Sequence, residues 1–324
     1  MWQQCSCAGH KKNGRKDKKC VRIMRKLFII GNGFDREHNL PTAYKPHFKE
    51  IAEKNEQISY FWDIYQSREV DIWADFENCL AHPDFNLLEG IFDGYAPDYF
   101  SDYERDRNAI ITQVDLNGKL LDTLYVFADR AEREIDYISP VSKYVGYFSQ
   151  NDLFVTCNYT HTLEKIYKIC SSKVLHIHGE VGKDNLILGY PKGSYEAEKY
   201  CYDARQRGRG PYRVVNIEDY VEYMLKNDLM DYYTYSAYMS LIEKTKSFYK
   251  STQIKKLDVF LKDVCVDEII VIGHSCAIDF PYFKYLNDNF PLARWTFNPF
   301  NKHTKLNVDQ LIDLIGIKHY KIQQ

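Results

Sequence analysis

Three polar tips close three short apolar runs, and each tip carries side chains able to bind a ligand or move a proton. Residues 26–30 run into Gly31-Asn32-Gly33-Phe34-Asp35, residues 153–156 into Cys157-Asn158-Tyr159, and residues 268–272 into Gly273-His274-Ser275. Glycines after a strand let backbone N–H groups approach an anion such as a pyrophosphate, or simply make a turn. Asn158 offers a donor and an acceptor together, which suits a ribose hydroxyl, a carboxamide or a positioned water, or else a cap on the next helix. His178, just before Gly179, has the residue type that acts as a base near neutral pH. His176 alternates with it along one extended run, so the two face opposite sides, and His176 is expected to be packed. His274 and Ser275 bring an imidazole and a hydroxyl that either hydrogen-bond a ribose or form a turn.

Such tips need elements that hold them level. Short Ile- and Val-rich runs, ended by Gly or Asn and followed by helical patterns, read as parallel strands covered on both faces. In such sheets ligands bind at the carboxyl ends of the strands. The pattern therefore predicts an α/β, Rossmann-like, mostly parallel sheet with flanking helices, holding a nucleotide-like ligand at its tips. Further strands are expected at 174–178, 185–189 and 294–297. Leu163, Ile166, Tyr167 and Cys170 are spaced i, i+3, i+4, i+7 and predict a helix after the second strand. Asp279 and Pro281 suit the N-cap and first turn of another. Residues 24–324 read as one domain with helical insertions at about 45–150 and 191–250. The second insertion holds Arg205, Arg207, Arg209, Arg213 and many tyrosines, and reads as a lid joined through Gly208-Arg209-Gly210-Pro211. Its tyrosines either pack amphipathic helices or stack on a base, and its arginines either meet a phosphate or lie in a solvated loop.

Composition narrows the chemistry. The 324 residues are 45% apolar with a formal net charge of -2, which argues against a surface that coats nucleic acid. No run of 18 or more uncharged apolar residues occurs, so no membrane span is expected. Residues 1–23 differ, with seven Lys and Arg against Asp17 alone and no apolar stretch of a secretory signal. With Met24 just ahead of the first strand, this basic head reads as a disordered extension outside the fold. Nine scattered cysteines suggest reduced thiols and a cytoplasmic protein. No G-x-x-x-x-G-K-[ST], H-E-x-x-H, paired C-x-x-C or G-x-S-x-G motif is present. His176, His178, His274, Asp35 and Glu77 are metal-ligand types, yet without ligand spacing no metal is expected.

Taken together, IIGNGFDREHNLPTAY (29–44), WADFE (73–77), FVTCNYTHTLEKIY (154–167), HIHG (176–179) and IGHSCAIDFPYF (272–283) resemble the bacteriophage abortive-infection AbiH family. That resemblance covers nearly the whole body and implies a bacterial anti-phage protein, answering a phage-derived trigger. More distantly, the tips are similar to sirtuins and sirtuin-like NAD-consuming domains. Those domains carry a Gly-Ala-Gly loop with a Gly-Ile-Pro segment, then T-x-N, H-G and G-[ST]-S tips, in that order. Gly31, Gly33 and Pro41 match the first, Thr156 and Asn158 the second, His178-Gly179 the third, and Gly273 with Ser275 the fourth.

The second resemblance implies NAD as ligand or substrate, held by Gly31, Asn32, Gly33, Thr156, Gly273, His274 and Ser275. Asn158 would stand at the nicotinamide-ribose side and His178 would be the base. Departures are visible: Asn32 replaces Ala, Asp35 a small Ser, Asn39 a Gly, Ala43-Tyr44 a Phe-Arg pair, and Thr160 an acidic residue. Loss of the Arg and the acid argues against deacetylation and leaves hydrolysis of the nicotinamide–ribose bond. Asp35 would then oppose a developing oxocarbenium cation, as a carboxylate does in glycoside cleavage. Because it would repel a phosphate, it is placed towards the ribose. Two other readings stay open: a non-catalytic nucleotide-binding sensor, and an RNA- or DNA-directed toxin using the arginines, which the acidic body disfavours. Self-association through the Tyr-rich stretch is compatible with each.

Overall fold

A computed structural model describes residues 25–55, 64–65, 72–73, 76–86, 116–183, 185–203 and 212–323. Its strands in chain order are β1 Lys26–Ile30, β2 Leu153–Thr156, β3 Val174–His176, β4 Lys199–Asp203, β5 Tyr212–Asn216, β6 Glu268–Ile272, β7 Arg294–Asn298 and β8 Tyr320–Ile322. Six of them form one parallel sheet ordered β3-β2-β1-β6-β7-β8, while β4 and β5 pair apart as an antiparallel hairpin. The chain moves outward from β1 to β2 and β3, then crosses back to continue on the other side with β6, β7 and β8. The reversal lies between β1 and β6, the topological switch point of a Rossmann-like sheet, where ligands characteristically bind.

The strands form here because both faces of the sheet are covered. Leu27 and Ile29 point to one face with Leu153, Val155, Ile269 and Val271; Phe28 and Ile30 point to the other with Phe154, Ile270 and Ile272. A strand clothed on both sides reads as a continuous apolar run, which is why these three were legible. Pairing is level at the tips: Ile30 lies opposite both Thr156 and Ile272, and Thr156 lies opposite His176. Residues 31, 157 and 273 therefore leave the sheet side by side.

The helices are α1 Asn32–Glu37, α2 Lys49–Ala52, α3 Phe76–Cys79, α4 Leu116–Glu134, α5 Thr162–Tyr167, α6 Ile217–Lys226, α7 Tyr232–Ser247, α8 Ile254–Phe260, α9 Phe280–Asn289 and α10 Lys302–Ile315. Side-chain oxygens of Asn216, Asp231 and Asn301 cap α6, α7 and α10, satisfying backbone donors that would otherwise lack a partner. Helices α2, α3, α4, α6 and α7 share a core of their own, built from Phe48, Phe76, Leu124, Phe127, Val221, Leu241 and Phe248 among others. The two stretches expected as insertions thus pack on each other. Among the described residues, no helix is long and apolar enough to cross a membrane.

Several expectations are corrected. Residues 191–250 are not purely helical, since the β4–β5 hairpin precedes α6. Residues 185–189 form no strand; instead Tyr190 bridges the 248–250 segment, its N–H donating to the Phe248 carbonyl and its carbonyl accepting from Lys250 N. The strand at 174–178 is shorter, ending at His176. Helix α5 ends at Tyr167 because Lys168 turns into the left-handed region at φ 57°, leaving Cys170 beyond it and exposed. Strand β8 was not foreseen. Arg213 is exposed on β5, and Arg205, Arg207, Arg209 and the head at 1–23 lie outside the described residues.

Candidate functional site

A crevice opens at the carboxyl ends of β1, β2 and β6. It encloses a cavity of about 110 Å³. Gly31, Asn32, Asp35, Asn158, His178, His274 and Ser275 all line it, with Tyr44 and Glu77 contributed by the helical half. Gly33, Thr156 and Gly273 are not on its wall. Thr156 accepts a hydrogen bond from Asn158 N through its hydroxyl (3.1 Å) and so shapes the turn beneath.

The glycines let two loops meet backbone to backbone. A Cβ on Gly31 would stand 2.6 Å from His274 Cα, and one on Gly33 would stand 2.7 Å from Gly273 Cα. Gly31 N donates to the Ile272 carbonyl and Gly33 N to the Gly273 carbonyl. Those amides are engaged within the protein, so the β1 loop is pressed against the β6 loop. Asn158 adds a third tie, its Nδ2 donating to the Gly31 carbonyl at 3.2 Å. The cap position of α5 is taken by His161 rather than by Asn158.

The carboxylate of Asp279 is the electrostatic centre. It was expected to cap α9, but it makes no cap hydrogen bond and adopts φ 66°. That left-handed conformation costs about 1 kcal/mol or more for a non-glycine residue. The turn aims the carboxylate into the crevice instead. Oδ1 lies 3.2 Å from His178 Nε2 and 3.2 Å from Lys250 Nζ, and Oδ2 lies 3.3 Å from His274 Nε2. The Cys157 thiol donates to Oδ2 at 3.8 Å. Lys250 also reaches Glu77 Oε2 at 3.1 Å, and Tyr44 OH donates to Glu77 Oε1 at 2.9 Å.

Charge follows geometry. Burial would raise the Asp279 carboxyl, but His178 and Lys250 outweigh it and hold the group well below the usual carboxylate range. Burial would lower Lys250, but Glu77 and Asp279 outweigh it and raise the ammonium above its ordinary value. Cys157 is pushed up by burial and then by Asp279, so it stays a thiol and is a poor nucleophile. Asp35 is different. Burial pushes its carboxyl up to about 6, against hydrogen bonds from Thr160 and Thr162 at 2.5 and 2.8 Å.

The two candidate histidines differ as well. Cys276 N donates to His274 Nδ1, which leaves the proton on Nε2, facing Asp279. His274 is therefore held on both sides. His178 is only 4% exposed, and its Nε2 has no aligned hydrogen bond despite lying at ion-pair distance from Asp279. With a proton on Nε2 towards Asp279, Nδ1 would be its basic nitrogen. His176 faces away, its ring nitrogens on the Asn158 carbonyl and Glu164. Cys157, His274 and Asp279 come close enough to hold a metal, but the buried Lys250 cation on the same carboxylate and the protonated thiol do not suit one.

Sequence reasoning missed Asp279 and Lys250 as site residues. Asp279 sits within the IGHSCAIDFPYF stretch, five residues past His274, so a signal existed there. Lys250 has none. It reaches the crevice only through the pairing of residues 248–250 with Tyr190.

The sequence matches the family model described as Bacteriophage abortive infection AbiH over residues 27–299. No curated protein and no solved structure matches it.

Proposed function

The chain belongs to the bacteriophage abortive infection AbiH family, and from that premise we propose that it binds NAD or a related nucleotide in the switch-point crevice and hydrolyses the nicotinamide–ribose bond. One observation carries the reading: Asp35, Asn158 and His178, drawn from three separate strand tips, line one crevice beside the Asp279 carboxylate. Rossmann-like sheets place nucleotides at this point, and the sirtuin-like order of the tips supports the same ligand.

The chemistry balances with these groups alone. Water attacks the anomeric carbon as the carbon–nitrogen bond breaks. The bond's electron pair leaves with nicotinamide, which departs neutral because the pyridinium charge is cancelled. His178, oriented by Asp279, takes the proton from water. The ionised Asp35 opposes the oxocarbenium-like cation, as carboxylates do in glycoside cleavage. Asn158 keeps the β1 loop in place through Gly31 and presents its amide oxygen towards the water or the ribose. Loss of NAD in an infected cell would be the abortive outcome.

A second reading, a nucleotide sensor that performs no chemistry, also has an observation in its favour. The N–H groups of Gly31 and Gly33 and the Asn158 amide are already bonded inside the protein, an arrangement suited to a clamp that reports occupancy.

Incubation of the full chain with NAD, with and without phage lysate, followed by chromatography, tests the first reading. Nicotinamide release that disappears in His178→Ala and Asn158→Ala is expected. Saturable NAD binding with no turnover under either condition would transfer the assignment to the sensor. Neither binding nor turnover would remove both.

A further inference from the structure

Beside the crevice, around the end of β3, lies a second cluster of chemistry-bearing side chains that the proposed reaction does not use. His161 Nδ1 lies 3.0 Å from Glu132 Oε1, and its Nε2 lies 3.0 Å from Glu180 Oε2. His176 Nδ1 lies 3.1 Å from the Asn158 carbonyl oxygen, and its Nε2 lies 3.0 Å from Glu164 Oε1. One donor atom from each of His161, His176 and Glu180 falls within 4.8 Å of the other two. The remaining oxygen of Glu164, Oε2, is buried without a hydrogen-bond partner. We infer that His161, His176 and Glu180 bind one divalent transition-metal ion, zinc(II) by the chemistry of the donors, with Glu164 beside the site.

Each ring has the two-sided arrangement of a metal ligand. A metal-bound histidine characteristically donates its outer N–H to a carboxylate or a backbone carbonyl, which fixes the tautomer and turns the other nitrogen's lone pair inward. Glu132 fills the outer role for His161, and the Asn158 carbonyl fills it for His176. Both Nε2 atoms then face inward, that of His161 towards Glu180 and that of His176 towards Glu164. Two imidazoles with one carboxylate match the three protein ligands of a zinc site that keeps an open position, and do not match magnesium or calcium, which prefer all-oxygen shells.

Without an ion, the same geometry leaves acceptors unmatched. All four ring nitrogens face oxygen acceptors, while a neutral imidazole has only one N–H to give. The two ring centroids lie 5.2 Å apart. A divalent ion between the inward nitrogens would give each lone pair a partner. It would also join the lead-in to α5, the end of β3 and the loop after it. The ion would therefore brace the segment carrying His178, independently of what the crevice binds.

The test uses the full chain, stripped with a chelator and dialysed, then titrated with cobalt(II) as a spectroscopic substitute for zinc. Nine cysteines are present in the chain, so the spectrum matters as well as the stoichiometry. The expected result is one cobalt per chain and visible d–d bands without a thiolate charge-transfer band. Affinity should fall tenfold or more in Glu180→Gln and in His161→Ala, with circular dichroism checking that both variants fold. A metal-dependent rise in the melting temperature should appear in the wild type and be reduced in both variants. Equal affinity in folded variants, a thiolate band as the only signal, or no binding by the wild type would each overturn the inference.

Discussion

Asp35 is 1% exposed, and the hydroxyls of Thr160 and Thr162 do not fully replace the water it loses. Its carboxyl is therefore raised from 3.8 to about 6 by burial. A raised carboxyl contributes stability that is complete below the unfolded value and is lost as pH rises through about 6. At pH 7.5 keeping the group ionised costs roughly 3 kcal/mol, because each tenfold change in proton affinity is worth about 1.4 kcal/mol. Asp35→Asn should therefore be more stable than the wild type at pH 7.5 and nearly equal to it at pH 4, as read by urea unfolding at both values. Under the proposed chemistry the same ionisation is what opposes the cation. Wild-type nicotinamide release should rise as pH increases through about 6, and Asp35→Asn should lose most of it. Gain of stability together with loss of activity is the pattern of a residue kept for function. If Asp35→Asn were destabilised at pH 7.5, the hydrogen bonds of the carboxylate would outweigh the cost of burying it.

At the scale of elements, the crevice exists because two loops meet backbone to backbone. Gly33→Ala would drive its Cβ to 2.7 Å from Gly273 Cα. Neither side can relieve that contact by turning a side chain. Overpacking of this kind costs about 1–3 kcal/mol, and here it would also separate α1 from β6. Denaturant unfolding should register the loss, and ligand binding in the crevice should fall with it. Full stability in Gly33→Ala would mean that the loops are not in contact. The sequence marked these glycines but could not name their neighbour, because a missing Cβ admits a phosphate and another backbone equally well. The strands β1, β2 and β6 were legible because burial on both faces leaves an unbroken apolar run. The β4–β5 hairpin was not, since Lys199–Asp203 and Tyr212–Asn216 mix charges and tyrosines without an apolar alternation. Strand β8 offers only Tyr320–Ile322, too short to carry a pattern. Asp279 looked like a helix cap because cap preference is local, while its true partners lie as far away as His178.

At the scale of the molecule, the sheet and the helical core face each other across the crevice, and Lys250 joins them. Its ammonium holds Asp279, from the sheet side, and Glu77, from α3, at 3.2 and 3.1 Å. Lys250 itself is only 6% exposed, so water cannot take over if it is removed. Lys250→Met would leave two carboxylates without their shared cation, and breaking a buried pair in this way costs roughly 3–5 kcal/mol. Removing one of the stranded charges should recover part of that loss. Lys250→Met with Glu77→Gln is therefore expected to be more stable than the sum of the single changes, by about 1 kcal/mol or more. Asp279 would remain partnered by His178 and His274, which is why recovery should come from Glu77 and not require Asp279→Asn. Urea unfolding of the wild type, both single variants and the double variant supplies the cycle. If Lys250 is the link between the two halves, Lys250→Met should also broaden the transition, because the helical core then opens before the sheet does. Strict additivity and an unchanged slope would instead make Lys250 a residue of one half alone.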